Sequence, residues 1–240
     1  MLLHGGWGYE IYPFDRQLAA LEPTRRIVAP DRTGYGGSTR LRDLPTDFHQ
    51  RAAEETIRVL DALGLERPIL WGHSDGAVIA LRLGLTAPRR VSGIIAEATH
   101  FFRNKPASRS FFETMRDAPD RLGERVTAVL AHDHGAEWRR LIQLNGAAWL
   151  AIGTEGGDLY DGRLRELHVP TLVIHGERDP RTEPGELDAI RHALSAPPVP
   201  PAHFVVLPGG GHSPHSERVT ADEVTAIALG WIADRENDVT

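Results

Sequence analysis

The chain has 240 residues, 41% of them hydrophobic, and a net charge of −6 at neutral pH. This length suits one large domain, or one domain with an insertion, and the absence of a basic run argues against nucleic acid or a membrane as a partner. The lack of cysteine excludes disulfides and thiolate metal sites. No apolar segment approaches the roughly 20 residues that span a bilayer, and the first residues do not resemble a signal peptide. We therefore expect a cytoplasmic protein.

Short runs rich in Val, Ile and Leu alternate with amphipathic segments along the chain. The runs do not alternate strictly between apolar and polar residues, which favours strands buried on both faces. They predict strands over 26–31, 68–73, 91–98, 171–176 and 203–209. The segments between them predict helices over 46–65, 76–88, 183–194 and 219–237. This order favours an α/β fold with a mostly parallel sheet and helices on both faces.

Residues 101–161 do not follow this alternation of strands and helices, because they contain no convincing strand. They predict two or three helices with apolar faces, placed between two predicted strands. We expect these helices to form a cap over the carboxyl edge of the sheet, with residues 1–100 and 162–240 forming the core. Extra core helices are the alternative.

Residues 72–76 read Gly-His-Ser-Asp-Gly and stand between a predicted strand and a predicted helix. This context is typical of a nucleophile elbow, in which the glycines allow close approach of strand and helix and the serine stands exposed at the sheet edge. A plain tight turn is the alternative. The elbow would present Ser74 as a nucleophile.

A serine is a weak nucleophile at neutral pH, so it needs a base, and the base needs an orienting carboxylate. Two later strand ends supply candidates, Asp179 in "HGERDP" and His212 in "GGGHSPH". They follow Ser74 in the order acid, then histidine, that hydrolases use. Glu177 is an alternative acid, because it lies two residues before Asp179.

The segment "LLHGGWG" at residues 2–8 supplies a glycine loop after a short apolar run. We expect the backbone N–H groups of Gly6 and Asp75 to form an oxyanion hole. Two such donors stabilise the negative oxygen of a tetrahedral intermediate.

Five motifs occur in one order between residues 4 and 215: "HGGW", "DRTGYGGS", "GHSDG", "HGERDP" and "GGGHSPH". In these motifs the chain resembles the α/β-hydrolase superfamily, and it looks most similar to serine esterase-type members related to biphenyl-hydrolase-like proteins. The resemblance implies an α/β-hydrolase fold without a cofactor, with Ser74 as nucleophile, His212 as base and Asp179 as acid.

The resemblance implies a serine hydrolase that cleaves a small carboxylic ester through an acyl-enzyme. One alternative is a carbon–carbon bond hydrolase of vinylogous diketones, which uses the same triad. The other is a ligand-binding protein that has a hydrolase fold without the activity.

Only three residues precede His4, where members of the superfamily usually have further strands. Either this sequence starts late or the chain folds with a reduced sheet. We expect the N-terminal strands to be missing and the sheet to have about six strands, with 26–30 at or near an edge. An unpaired edge invites pairing with another strand. A homodimer through this segment, or low stability, is the expected consequence.

Five side chains are candidates for contact with the substrate: Trp7, His100, Phe101, Trp138 and Trp149. The last two lie eleven residues apart on one apolar helix face, where core packing is the alternative to lining a pocket. Two histidine pairs, 132/134 and 212/215, are weak candidates for metal ligands. The first lies in a predicted cap loop and the second belongs to the predicted triad, so we expect no metal site.

Overall fold

A computed structural model describes residues 1–195 and 202–237. Within these residues, five strands form one parallel sheet in the order β1-β2-β3-β4-β5. The strands are β1 (Leu2–Leu3), β2 (Ile69–His73), β3 (Gly93–Glu97), β4 (Thr171–Gly176) and β5 (His203–Leu207). The predicted mostly parallel α/β architecture is confirmed.

Helices follow or separate the strands as the sequence predicts. They are α1 (Asp15–Leu21), α2 (Phe48–Ala62), α3 (Asp75–Thr86), α4 (Arg109–Asp117), α5 (Glu124–His134), α6 (Trp138–Ile152), α7 (Glu186–Leu194) and α8 (Ala221–Asn237). None of the helices described has the length and apolar character needed to cross a membrane.

Two apolar clusters cover the two faces of the sheet. Leu70 and Ile94 belong to the cluster that includes α2, α3 and α6, whereas Trp71 and Ile95 belong to the cluster that includes α8. Successive residues of a strand point to opposite faces. Both faces are therefore covered by helices, which explains why the strands are almost continuously apolar.

The predicted strand at 26–31 does not form, so the sheet has five strands in the described chain rather than about six. Leu2 N donates to Val28 O at 2.8 Å, which places this segment beside β1. The hydrogen bonding does not extend into a ladder, because β1 is only two residues long and Pro30 has no N–H to donate. Pairing of two copies through this edge stays a prediction, which size-exclusion chromatography with light scattering checks.

Helices α4, α5 and α6 lie between β3 and β4. Helix α4 packs on α6, and the rings of Phe112 and Trp149 stack with centroids 5.3 Å apart. The one strand-like pairing in this region is an isolated bridge between Phe102 and Asp158 near its two ends. A division into a core and a cap at these ends remains a proposal.

Strand β2 and helix α3 approach each other at two glycines. A Cβ atom on Gly72 would lie 2.1 Å from the carbonyl oxygen of Gly76, and one on Gly76 would lie 2.1 Å from the carbonyl oxygen of Leu3. Backbone atoms cannot move aside as a side chain can. The packing of β1, β2 and α3 therefore requires glycine at both positions.

Gly76→Ala is expected to lower the free energy of unfolding by about 3 kcal/mol, because the added methyl group overlaps the backbone of β1. Gly230→Ala is the matched control, since Gly230 lies in α8 with nothing within 4 Å of an added Cβ. It is expected to stabilise the protein by about 0.5–1 kcal/mol. Urea titrations of both variants check the prediction, and an unchanged midpoint for Gly76→Ala would contradict the close approach.

Candidate active site

Ser74 occupies the sharp turn between β2 and α3. Its backbone has φ 54° and ψ −119°, a conformation that costs a residue other than glycine about 1–3 kcal/mol. The turn is held in place because Ser74 N donates to Glu97 O at 2.9 Å, and Ala77 N donates to Ser74 O at 2.9 Å. A plain turn would not need a serine at a strained position, so the geometry favours the nucleophile elbow.

Ser74, His212 and Asp179 meet at the carboxyl edge of the sheet. His212 Nε2 lies 3.0 Å from Ser74 Oγ, and His212 Nδ1 lies 2.9 Å from Asp179 Oδ2. The two pairs span 138 and 33 residues of sequence. The fold thus aligns a hydroxyl, an imidazole and a carboxylate in hydrogen-bond contact, which is the arrangement that activates a serine.

Asp179 is held as a carboxylate by its surroundings. Burial opposes its ionisation, but nearby His212 and the hydrogen bonds from His175 and His212 outweigh burial and hold the pKa of Asp179 well below its usual range. Arg181 N also donates to Asp179 Oδ1 at 2.8 Å. Glu177 is exposed and instead accepts a hydrogen bond from Gly209 N at 2.9 Å. Of the two candidate acids, the structure thus places Asp179 against His212.

The backbone around His212 is fixed from both sides. The carboxylate of Glu217 accepts hydrogen bonds from Gly211 N at 2.7 Å and from Ser213 N at 2.9 Å. His73 Nε2 lies 2.9 Å from His212 O, and burial lowers the pKa of His73 to about 3. A neutral His73 can therefore donate one hydrogen bond to this loop without adding a second positive charge beside His212.

Gly6 and Asp75 both line the cavity beside Ser74. Asp75 is the first residue of α3, so its N–H has no partner within the helix and lies at the positive end of the helix dipole. A Cβ on Gly6 would lie 2.7 Å from Asp75 Oδ2, which explains a glycine there. These positions suit two backbone donors for an oxyanion.

The side chain of Asp75 is engaged elsewhere. Its Oδ1 lies 3.0 Å from Nε2 of buried His49. Burial raises the pKa of Asp75, but the hydrogen bond from His49 and the charge of Arg32 outweigh it, so that the pKa lies below its usual value. The carboxylate stays ionised and anchors the start of α3.

A family model described as "Alpha/beta hydrolase family" matches residues 1–226. The chain belongs to this family. Serine hydrolase BPHL of Mus musculus is 27% identical over 224 residues, which cover 90% of this chain and 73% of that protein. Putative carbamate hydrolase RutD of Klebsiella pneumoniae (strain 342) is 28% identical over 230 residues, which cover 88% of this chain and 82% of that protein.

Solved structures show the same architecture. A thermophilic esterase from Thermogutta terrifontis superimposes with a TM-score of 0.70 at 24% identity, covering 98% of this chain and 89% of that one. The enol-lactonase from Burkholderia xenovorans LB400 gives a TM-score of 0.72 at 20% identity, covering 97% and 90%. At this identity the likeness concerns the fold, and it confirms the predicted α/β-hydrolase fold.

In this α/β hydrolase, Ser74 faces a small cavity of about 50 Å³. Trp7, His100 and Trp149 line it, as the sequence predicts for substrate contacts. Its other side-chain walls come from Tyr12, His73, Asp75, Phe111, Phe112, Met115, Asn145, Arg181 and His212. Most of these walls are apolar or aromatic, so the cavity suits a small organic group.

Phe101 and Trp138 do not line this cavity, so their assignment as pocket residues is corrected. The ring of Phe101 packs against Phe102 and Tyr160. Trp138 is buried at the start of α6, where Arg139 stacks on it. A helix rises 1.5 Å per residue, so Trp138 lies about 16 Å along the axis from Trp149, and the two rings cannot face one small cavity.

His100 is a second imidazole in the cavity wall near Ser74. Its Nε2 lies 3.4 Å from Ser74 Oγ, and its Nδ1 lies 3.2 Å from Lys105 Nζ. An ammonium group only donates, so Nδ1 is the acceptor and Nε2 carries the proton. Burial, together with the charge of Lys105, holds the pKa of His100 well below its usual range. His100 is therefore a neutral N–H donor rather than a base.

No group of three or more His, Asp or Glu side chains suited to a metal occurs in the part of the chain that the structure describes. His134 has a structural task, because its Nδ1 accepts a hydrogen bond from Gly36 N at 3.0 Å and its Nε2 lies 3.0 Å from Trp7 O. His215 is paired with Glu97 through its Nδ1 at 2.8 Å.

The buried Glu97–His215 pair joins the end of β3 to the loop that carries His212. Trp71 Nε1 donates to Glu97 Oε2 at 3.0 Å, and His215 Nε2 lies 3.0 Å from Tyr12 O. Burial raises the pKa of Glu97, but the charge and hydrogen bond of His215 outweigh it and lower the pKa to about 2.

Because the folded pKa of Glu97 lies below the unfolded one, the pair stabilises the protein above about pH 4.5 and loses this contribution as the pH falls towards 2. Glu97→Gln is expected to cost about 3 kcal/mol at pH 7, and less below pH 4. Urea titrations between pH 7 and pH 3 measure the difference. Glu66→Gln, on the exposed surface, is the control, and a cost that is constant with pH would contradict an ionised Glu97.

Proposed function

We propose that this α/β hydrolase is a serine hydrolase that cleaves small carboxylic esters. The observation that carries the proposal is the hydrogen-bonded chain from Ser74 Oγ through His212 to Asp179. The relative named Serine hydrolase BPHL supports the same class. An ester fits this chemistry, because the reaction needs only a nucleophile, a base and an oxyanion hole.

In the first half of the reaction, Ser74 Oγ attacks the ester carbonyl and His212 Nε2 takes the hydroxyl proton. The carbonyl oxygen becomes an oxyanion that accepts hydrogen bonds from the N–H groups of Gly6 and Asp75, each worth about 3 kcal/mol in the transition state. The intermediate then collapses, the bond to the alcohol oxygen breaks, and His212 gives that oxygen its proton. An acyl group remains on Ser74.

In the second half, water attacks the acyl carbonyl while His212 takes its proton, and Ser74 leaves with the proton returned to Oγ. Asp179 stays ionised throughout, because its pKa lies well below its usual range. It holds Nδ1–H of His212 and stabilises the imidazolium. The cavity of about 50 Å³ favours a short acyl or alcohol group.

Two experiments distinguish the ester hydrolase from the two alternative functions: a comparison of substrates and covalent labelling of Ser74. A carbon–carbon bond hydrolase would use the same three residues, and would cleave a vinylogous diketone faster than any ester of a panel with varied acyl length. A ligand-binding protein without activity would not react with a fluorophosphonate at Ser74. Labelling in the wild type that is lost in Ser74→Ala supports an enzyme.

Ser74→Ala and His212→Ala are each expected to lower kcat for a p-nitrophenyl ester by about 10⁵-fold or more, and Asp179→Asn by about 10⁴-fold. Replacing Asp179 lowers kcat less because this residue only orients the imidazole, whereas Ser74 forms a bond to the substrate and His212 transfers protons. Ser216→Ala is the control, since its hydroxyl contacts only the backbone of Ser213 outside the cavity. Wild-type activity in Ser74→Ala would refute the assignment.

A further inference from the structure

The active-site cavity contains a guanidinium that forms no ion pair with any of the described residues. Arg181 lines the cavity with Ser74 and His212. Within residues 1–195 and 202–237, no carboxylate forms an ion pair with the side chain of Arg181. An arginine is charged at every physiological pH, so this cation is left for a ligand.

The position of Arg181 is fixed at both ends. Its backbone N–H donates to Asp179 Oδ1 at 2.8 Å. The backbone of Arg181 is therefore held in the same loop as the proposed acid. Its guanidinium carbon lies 3.2 Å from the centroid of the Phe111 ring on α4. The side chain therefore extends from the end of β4 to the wall of the cavity, and its charge lies near the proposed triad.

The protein's own acids near the cavity are engaged by other groups. Asp179 is bonded to His212 and also lies 3.3 Å from His175 Nε2, and Asp75 is bonded to His49. Neither forms an ion pair with Arg181, although the charge of nearby Asp179 partly offsets the effect of burial on the pKa of Arg181. Burial lowers the pKa of Arg181, which is the mark of a charge that is partly removed from water without enough compensation.

A second group near Arg181 suits an anion. Tyr12 also lines the cavity, and burial raises the pKa of its hydroxyl. The phenol therefore stays neutral and can donate a hydrogen bond. A planar guanidinium offers a fork of N–H donors that matches the two oxygens of a carboxylate.

We propose that Arg181 binds a free carboxylate of the substrate, so that the preferred substrates are small esters that also carry a carboxylate. This inference rests on the proposed ester hydrolase. Monoesters of short dicarboxylic acids place the carboxylate on the acyl part, and acyl esters of hydroxy acids place it on the alcohol part. The shared chemistry is a carboxylate a few bonds from the ester carbonyl.

A purely structural role is the competing explanation. Arg181 stacks on Phe111 and so connects the loop after β4 to α4. If packing were its whole task, its loss would slow neutral and anionic esters equally. Substrate charge therefore separates the two explanations.

The experiment compares mono-p-nitrophenyl glutarate with p-nitrophenyl butyrate, and carboxymethyl butyrate with ethyl butyrate, at constant ionic strength. Wild type is expected to have the higher kcat/KM for the anionic member of at least one pair, which also identifies the side that carries the carboxylate. Equal kcat/KM values within both pairs would overturn the inference without any variant.

Arg181→Gln is expected to lower kcat/KM for the preferred anionic ester by about 10- to 100-fold, the range of a charge-assisted hydrogen bond, mainly through KM. The neutral ester should change by no more than about 3-fold, and Arg181→Lys should recover part of the loss, since it keeps the charge without the fork. Arg178→Gln is the matched control, because Arg178 lies in the same loop, is exposed and does not line the cavity. Equal losses for both esters in Arg181→Gln would favour packing.

Glutarate binding keeps this test separate from the proposed reaction. Calorimetric titration with glutarate should show binding to wild type and to Ser74→Ala, and weaker binding to Arg181→Gln. If no ester is cleaved and no fluorophosphonate reacts at Ser74, the proposed function fails while the glutarate titration still tests Arg181. If esters are cleaved but glutarate binds wild type and Arg181→Gln equally, the proposed function holds and the anion site fails.

Discussion

The close approach of β2 to α3 is the constraint on which the site depends. Gly72 and Gly76 let the strand and the helix pack with no side chain between them, and the chain between the two elements must therefore reverse within a few residues. The backbone reverses direction at Ser74, which adopts a positive φ of 54°. Its hydroxyl projects from the carboxyl edge of the sheet because the backbone on both sides is immobilised by β1 and β3.

Buried carboxylate–histidine pairs hold the other parts of the site to this turn. Asp179 meets His212, Asp75 meets His49 at the start of α3, and Glu97 meets His215 in the loop that carries the proposed base. Each pair joins segments that are distant in sequence. In each, the histidine compensates for the burial of the carboxylate, which keeps the acid ionised in surroundings that would otherwise neutralise it.

The helices between β3 and β4 determine which groups a molecule bound beside Ser74 would contact. Phe112 and Trp149 stack to form an apolar wall, and His100 adds a neutral donor beside Ser74. Arg181, in the loop after β4, contributes a positive charge that stacks on Phe111. A cavity with apolar walls and one cation selects for a small substrate whose charge is localised at one end.

The sequence by itself determined the architecture and the residues proposed for the chemistry. Apolar runs bounded by glycine and proline mark four of the five strands within a few residues, because local periodicity follows from burial on both faces. Ser74, Asp179 and His212 each follow such a run, so their meeting at one sheet edge was predictable from their order. The prediction of a strand over 26–31 was wrong, because a strand also needs a neighbouring strand long enough to pair with it.

Only the tertiary structure decided the cavity wall and the choice between neighbours. Glu177 and Asp179 are equivalent in a local pattern, and the hydrogen bond to His212 separates them. Trp138 and Trp149 share a helix face, but the length of the helix allows just one of them to reach Ser74. Arg181 meets Phe111 across 70 residues of sequence. No local pattern predicts that contact, because it depends on how the helices after β3 pack against the loop after β4.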